Sequence, residues 1–248
     1  MKNILIISLF LNVFVRGSDM GPLIESANES MNQELFQDAA NQYESILSQG
    51  MESSTLYYNL GNAYFRQYLF GHAIWSYEKS LQLDPRNGDA NYNLDLANAR
   101  IVDRMDIPDP GFILTQYRQL KRGLTLNEMV LFGAILLFAS VLLFGVRRLF
   151  GVYGGLTGNL GILLTVLSIL IHAIALDKYW SQSDHISGIL ITNGVDVYSG
   201  PFERDDSILF RVNEGTKADI VAWEDLWVEI ILIDGKKGWI PAGTIRKL

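Results

Sequence analysis

Two apolar runs constrain this chain more than anything else in it. Met129 to Val146 holds no charged side chain over 18 positions, and Leu160 to Leu176 holds none over 17. A helix rises about 1.5 Å per residue, so each run with its flanks crosses most of a hydrocarbon layer. Backbone polar groups cannot stay unpaired in lipid, which makes a transmembrane helical hairpin the expected form. The alternative is a buried helical pair in a soluble core. Arg147 and Arg148 end the first run, and the glycine-rich stretch from Gly151 to Gly158 leads into the second. His172 is the only titratable group inside either run. It lacks the carboxylate and second relay group of a proton path, so a hydrogen bond across the hairpin or between subunits is expected.

The hairpin divides the chain into two polar segments that emerge on one side of the membrane. Residues 18–117 carry 14 acidic and 5 basic groups, net -9, and residues 179–248 carry 11 and 7, net -4. Both repel nucleic acid, and no basic stripe offers a phosphate track. Positive charge gathers beside the hydrophobic runs instead. Phe112 to Lys121 follows the break Asp106-Ile107-Pro108-Asp109-Pro110-Gly111. It either lies along the interface, with Phe112 and Tyr117 on lipid and Arg118, Lys121 and Arg122 on headgroups, or is a simple charged flank. The absence of cysteine excludes disulfides, thiolate catalysis and cysteine metal sites.

Lys2, the apolar run Ile4 to Val15 and then Arg16-Gly17-Ser18 resemble a secretory signal with a cut after Gly17. Topology signals conflict. Arg118, Lys121, Arg122 and Lys178 outnumber Arg147 and Arg148, which by count puts both large segments in the cytoplasm. A working signal gives the reverse, and the count difference is a bias only. The expectation is therefore a protein of the inner (cytoplasmic) membrane with both polar segments periplasmic or extracytoplasmic.

Before the hairpin the chain repeats at 34 residues. Ala39, Tyr43 and Leu47 align with Ala73, Tyr77 and Leu81, and Tyr58-Asn59-Leu60 with Tyr92-Asn93-Leu94. This is the tetratricopeptide spacing. Tyr57, Leu60, Gly61, Tyr64, Ala73, Tyr77, Leu81 and Pro85 fit the helix-turn-helix pattern, with Ser80 in place of the usual alanine. Helices are expected near 22–34, 36–48, 54–67, 71–83 and 88–103. Tyr58, Asn62, Phe65 and Arg66, with Tyr92 and Arg100, form the candidate inner surface. Its aromatics serve either a peptide groove, with Asn62 on the peptide backbone, or packing between repeats.

After about Ile186 short alternating runs are divided by glycine turns. Strands are expected at 188–192, 195–198, 207–211, 217–223, 226–233, 237–241 and 244–246, with Asp234-Gly235 as a turn. The segments VDVYSGP, NEGTKADIVAWEDLWVEIIL and DGKKGWIPAGTI resemble a bacterial SH3 domain, with Tyr198 where that family usually presents an arginine. Roughly sixty residues with this strand spacing suggest a small five- or six-stranded barrel, in keeping with that resemblance. Trp227 and Trp239, with Trp223 third, are the candidate contacts for a proline-containing or cell-wall peptide, or else they seal the core.

The complete order of signal, repeats, basic-capped hairpin and terminal SH3-like domain resembles the BatE family of the bacterial aerotolerance operon. The resemblance implies an envelope protein of assembly or stress tolerance that works with other membrane-associated Bat proteins, some with von Willebrand A-type domains. The expected fold class is multidomain: all-α tetratricopeptide repeats, a two-helix transmembrane hairpin and a small all-β SH3-like barrel. The divisions are 1–17 signal peptide, 18–105 repeats, 106–128 juxtamembrane linker, 129–176 hairpin, 177–185 linker and 186–248 SH3-like domain. The expected function is a membrane-anchored, non-enzymatic protein–protein scaffold without cofactor, catalytic residue or metal. A tether binding peptidoglycan or its peptides is the alternative. No HExxH, G-x-S-x-G, P-loop or Cys–His arrangement supports an enzyme.

Overall fold

The 34-residue period reappears in the hydrogen bonds of the helices. The computed structural model describes residues 21–102, 111–150, 155–184 and 186–248. The expected signal peptide, the proline break at 106–110, the glycines at 151 and 154 and His185 lie outside these residues. The chain divides into two compact units, one ending at Glu52 and the other beginning at Ser53.

The first unit holds the helical pair α1 (Gly21–Asn32) and α2 (Phe36–Ser48). In it the Tyr43 hydroxyl donates to Asn28 Oδ1 at 2.7 Å. Glu34 takes a positive φ in the turn, and the Leu35 amide donates to the Ser30 carbonyl at 2.9 Å.

The second unit opens with α3 (Ser54–Arg66), α4 (Phe70–Leu83) and α5 (Gly88–Asn98). Its first pair repeats the same geometry 34 positions later. Tyr77 donates to Asn62 Oδ1 at 2.8 Å, Tyr68 takes the positive φ, and the Leu69 amide donates to the Tyr64 carbonyl at 3.1 Å. A Cβ on Gly61 would stand 2.5 Å from the Tyr77 ring, which is why the helices can cross so closely there. Ser53 and Asn87 cap α3 and α5 by accepting from the Leu56 and Ala90 amides.

Three helices follow: α6 (Phe112–Gly123), α7 (Leu126–Phe150) and α8 (Gly155–Asp184). Thr125 and Glu128 exchange backbone-to-side-chain hydrogen bonds at 3.2 and 2.9 Å, a capping box that starts α7. Small residues let α7 and α8 pack antiparallel. Ser140 Oγ donates to the Gly161 carbonyl and Ser168 Oγ to the Gly133 carbonyl, each at 2.7 Å. His172 lies over Gly133 and its Nδ1 donates to the Ser168 carbonyl of its own helix at 2.8 Å. By length and composition both helices can cross a membrane, yet only 17% of each apolar window is buried. Helix α8 continues through Asp184, so most of the stretch expected as a linker is helical.

Seven strands complete the unit: β1 (Ile186–Leu190), β2 (Val195–Tyr198), β3 (Ile208–Val212), β4 (Lys217–Glu224), β5 (Trp227–Leu232), β6 (Lys237–Pro241) and β7 (Ile245–Lys247). They pair in the order β3-β2-β6-β5-β4-β1-β7. One core takes Leu190, Val197, Val212, Ile220, Ile230, Ile240 and Ile245, a residue from every strand. The sheet therefore curls about its own apolar face, but its edges β3 and β7 do not pair. It is an open seven-stranded sheet, and the expected five- or six-stranded SH3-like barrel is corrected on that ground. The reason lies at β7. Its Lys247 carbonyl accepts the Trp75 indole N–H of α4 at 2.7 Å, so a helix rather than a strand meets that end of the sheet.

Candidate functional site

The side chains expected to bind a partner fall on two separate faces of the second unit. On α3, Tyr58, Asn62, Phe65 and Arg66 share one side at helical spacing. Asn62 Oδ1 accepts from Tyr77 and also from Asn93 Nδ2, each at 2.8 Å, which brings α5 alongside. The amide oxygen is thus committed internally, and a peptide would meet the nitrogen. Tyr58 is half-buried 6.2 Å from the Tyr77 ring, and Phe65 is half-buried edge-on to Phe70 at 5.6 Å. Burial holds the Tyr77 phenol well above its ordinary pKa. Arg66 and Arg100 are exposed, Arg100 lying just beyond the end of α5, and Tyr92 is 64% exposed.

The second face is on the sheet. Along β5, Val228, Ile230 and Leu232 are buried while Trp227, Glu229 and Ile231 are half-buried on the other side. Trp239 on β6 stands opposite Glu229, and Tyr198 on β2 stands opposite Trp239. The Trp227 ring meets Tyr198 edge-on at 5.4 Å. Trp227 and Trp239 therefore lie on the side away from the core, with the Tyr198 ring buried against Trp227. Lys237 pairs with Glu229 at 3.0 Å on the same face. Trp223 is separate, exposed near the end of β4 with the Lys247 ammonium 5.7 Å above its ring.

A junction that neither repeat nor strand pattern predicts joins the repeat to the sheet. Helix α4 starts without a side-chain cap of its own. Glu214, in the turn before β4, supplies one by accepting from the Gly71 amide at 2.8 Å. A Cβ on Gly71 would stand 2.5 Å from the Leu190 carbonyl, so only glycine lets α4 sit this close to β1. One turn on, Trp75 bonds β7 and carries the Arg246 guanidinium 3.6 Å above its ring. Lys217 reaches Glu78 at 3.4 Å. Gly215, at φ +81°, leaves room for Ile74 and Ile101 against the turn. The available signal was Trp75, a large aromatic that the repeat pattern does not require.

No group of three or more metal-capable side chains occurs among the described residues. No protein-family model matches the chain, and no curated protein matches it. With the barrel also absent, the BatE resemblance is overturned. Its motifs specify turns, alternation and helical period, features that unrelated chains share, and they do not specify how the sheet closes. Von Willebrand A-type partners and a place in aerotolerance were implied by that resemblance alone.

Proposed function

We propose that this chain is a membrane-anchored interaction scaffold of the bacterial envelope, with α7 and α8 in the bilayer and the repeat and sheet together in the extracytoplasmic space. The observation that carries the reading is the α4–sheet junction. It holds the Tyr92 face and the Trp227–Tyr198–Trp239 face in one fixed arrangement at the end of an uncovered apolar helical pair. Two surfaces fixed beside a membrane raise the effective concentration of a partner anchored in the same bilayer, without any transport pathway or reaction. The uncovered outer surface of the pair, including Leu131, Phe138, Leu142, Ile162 and Ile169, favours lipid over a soluble core.

Crosslinking in intact membranes followed by purification tests the reading. A Tyr92→Ser, Arg100→Glu variant is expected to lose a partner that the unchanged chain captures, and Trp227→Ala with Trp239→Ala to weaken or lose capture. If both variants recover the same proteins as the unchanged chain at equal strength, the scaffold reading is wrong. The half-buried Trp227 and Trp239 on the outer sheet face favour a second reading, a tether to peptidoglycan or its peptides through stacking. It predicts that the detergent-solubilised chain sediments with purified wall and that Trp227→Ala reduces this.

A further inference from the structure

A second site lies where α6, the end of α8, the repeat and the sheet converge. A cavity of about 430 Å³ opens there, in the size range of small-ligand sites. Its lining includes the cations Arg118, Lys121, Arg122, Lys178 and Lys217 against a single carboxylate, Glu78. Such a concentration stands out in a chain whose polar segments are both acidic. Three of the cations are partly committed. Lys178 donates to the Lys121 and Leu124 carbonyls at 2.8 and 2.6 Å, leaving one of its three N–H groups for a ligand. Lys121 pairs with Asp177 at 2.5 Å, and Lys217 with Glu78 at 3.4 Å. Asp177 also accepts from the Tyr117 hydroxyl. Arg118 and Arg122 have no hydrogen-bond or ion-pair partner among the described residues, and a guanidinium suits the paired oxygens of a phosphate.

The other side of α6 adds the second half of the site. Leu120 and Leu124 line an apolar cavity of about 260 Å³, with Phe132 of α7 and Ile171 of α8. No polar side chain lines it. One short helix therefore separates a cationic cavity from an apolar groove that continues onto the outer surface of the hairpin. The two are linked through Lys178, which lines the first and bonds the carbonyl of Leu124, a residue lining the second.

We propose that this is a binding site for an acidic phospholipid. The phosphate-bearing headgroup sits against Arg118 and Arg122 in the cationic cavity, and an acyl chain lies in the groove of Leu120, Leu124, Phe132 and Ile171. Charge complementarity and continuity with the apolar hairpin surface together select an amphiphilic anion over a soluble one. The proposal rests on the hairpin lying in a bilayer. It adds a defined lipid position that couples the repeat, the sheet and the membrane end of the hairpin.

Native mass spectrometry of the full chain in detergent, titrated with phosphatidylglycerol or phosphatidylcholine, tests it. Saturable one-to-one retention of phosphatidylglycerol is expected, with clearly weaker retention of phosphatidylcholine. Arg118→Gln with Arg122→Gln is expected to weaken phosphatidylglycerol binding about 25-fold, from about fivefold per cation near a lipid headgroup. Arg147→Gln with Arg148→Gln, at the opposite end of the hairpin, leaves the affinity unchanged. Equal retention of the two lipids overturns the proposal, as does an unaltered affinity in the Arg118, Arg122 variant. Displacement of the lipid by millimolar inorganic phosphate reassigns the cavity to a soluble anion, and displacement by an acidic peptide reassigns it to a protein partner. Either result also overturns it. A chain that enters membranes but shows no lipid preference sinks this proposal alone, whereas a chain soluble without detergent sinks the membrane reading first.

Discussion

Asn62 shows how a residue visible in a sequence can hold an internal role that its spacing alone does not reveal. Its polar side chain among aromatics suggests a peptide contact, yet its oxygen accepts from Tyr77 and Asn93. The clue is Asn28, which stands 34 positions earlier and accepts from Tyr43 in the same way. Aligning only the apolar positions hides this polar half of the repeat. The bond matters because a buried donor without an acceptor costs more than a formed bond contributes. Asn62→Leu is expected to destabilise the repeat by about 1–3 kcal/mol, because it strands the Tyr77 hydroxyl and the Asn93 amide. Tyr77→Phe leaves Asn62 bonded to Asn93 and is expected to cost about 1 kcal/mol. Denaturant titration of the detergent-solubilised chain, followed by far-ultraviolet circular dichroism, ranks the two. The reverse order would mean that Asn62 is not an internal hub.

At the scale of elements, periodicity located nearly everything and decided less about closure. Most expected helices and strands lie within about two residues of those observed, α2 running over 36–48 and β2 over 195–198 as read, because both periods are set by burial of one face, whereas the helix expected over 88–103 ends at Asn98. Edge pairing carries no such period. Whether β3 meets β7 depends on what approaches β7, and that is Trp75, more than 160 residues away in sequence. The junction is correspondingly sensitive. Gly71→Ala is expected to push α4 off β1, and faster hydrogen exchange at the Gly71 amide region and in β1 reads the loss. Trp75→Phe keeps the ring but removes the indole bond to β7, so it should raise exchange less. At the other edge, Asp196 and Arg211 face each other across β2 and β3 with two hydrogen bonds, at 2.7 and 2.9 Å. The guanidinium holds the Asp196 carboxyl below the ordinary aspartate range. Because the folded-state pKa is depressed, the pair's contribution is fully present above the unfolded aspartate value of about 3.9 and disappears as pH falls through the folded value. Arg211 is largely solvent-exposed, so the contribution is small. Asp196→Asn is therefore expected to shorten the lifetime of β3 amides at neutral pH and to match the unchanged chain in acid. A difference that persists below the folded pKa would assign the effect to packing instead.

For the molecule as a whole, the decisive arrangement is that the repeat, the sheet and both outer ends of the hairpin meet at one place. Arg86 of the repeat reaches Glu128 at the start of α7 at 2.6 Å, and Lys178 near the end of α8 bonds the carbonyls that close α6. If α7 and α8 span a bilayer, the repeat and sheet must then share one aqueous compartment, and the hairpin turn must face the other. A chain without cysteine permits a clean test, since each introduced thiol is the only one present. Tyr68 in the repeat, Ile233 after β5 and Leu149 at the end of α7 are 76%, 63% and 80% exposed, so each tolerates replacement without opening a core. In sealed cells a membrane-impermeant maleimide is expected to label Tyr68→Cys and Ile233→Cys alike, while Leu149→Cys reacts only after permeabilisation. Labelling of Leu149→Cys alone would invert the orientation and place both modules in the cytoplasm while leaving their partnership intact. Opposite behaviour of Tyr68→Cys and Ile233→Cys would be fatal, because the α4–sheet junction cannot form across a bilayer. Equal labelling of all three would remove the membrane span itself, leaving the apolar faces of α7 and α8 to be covered by protein.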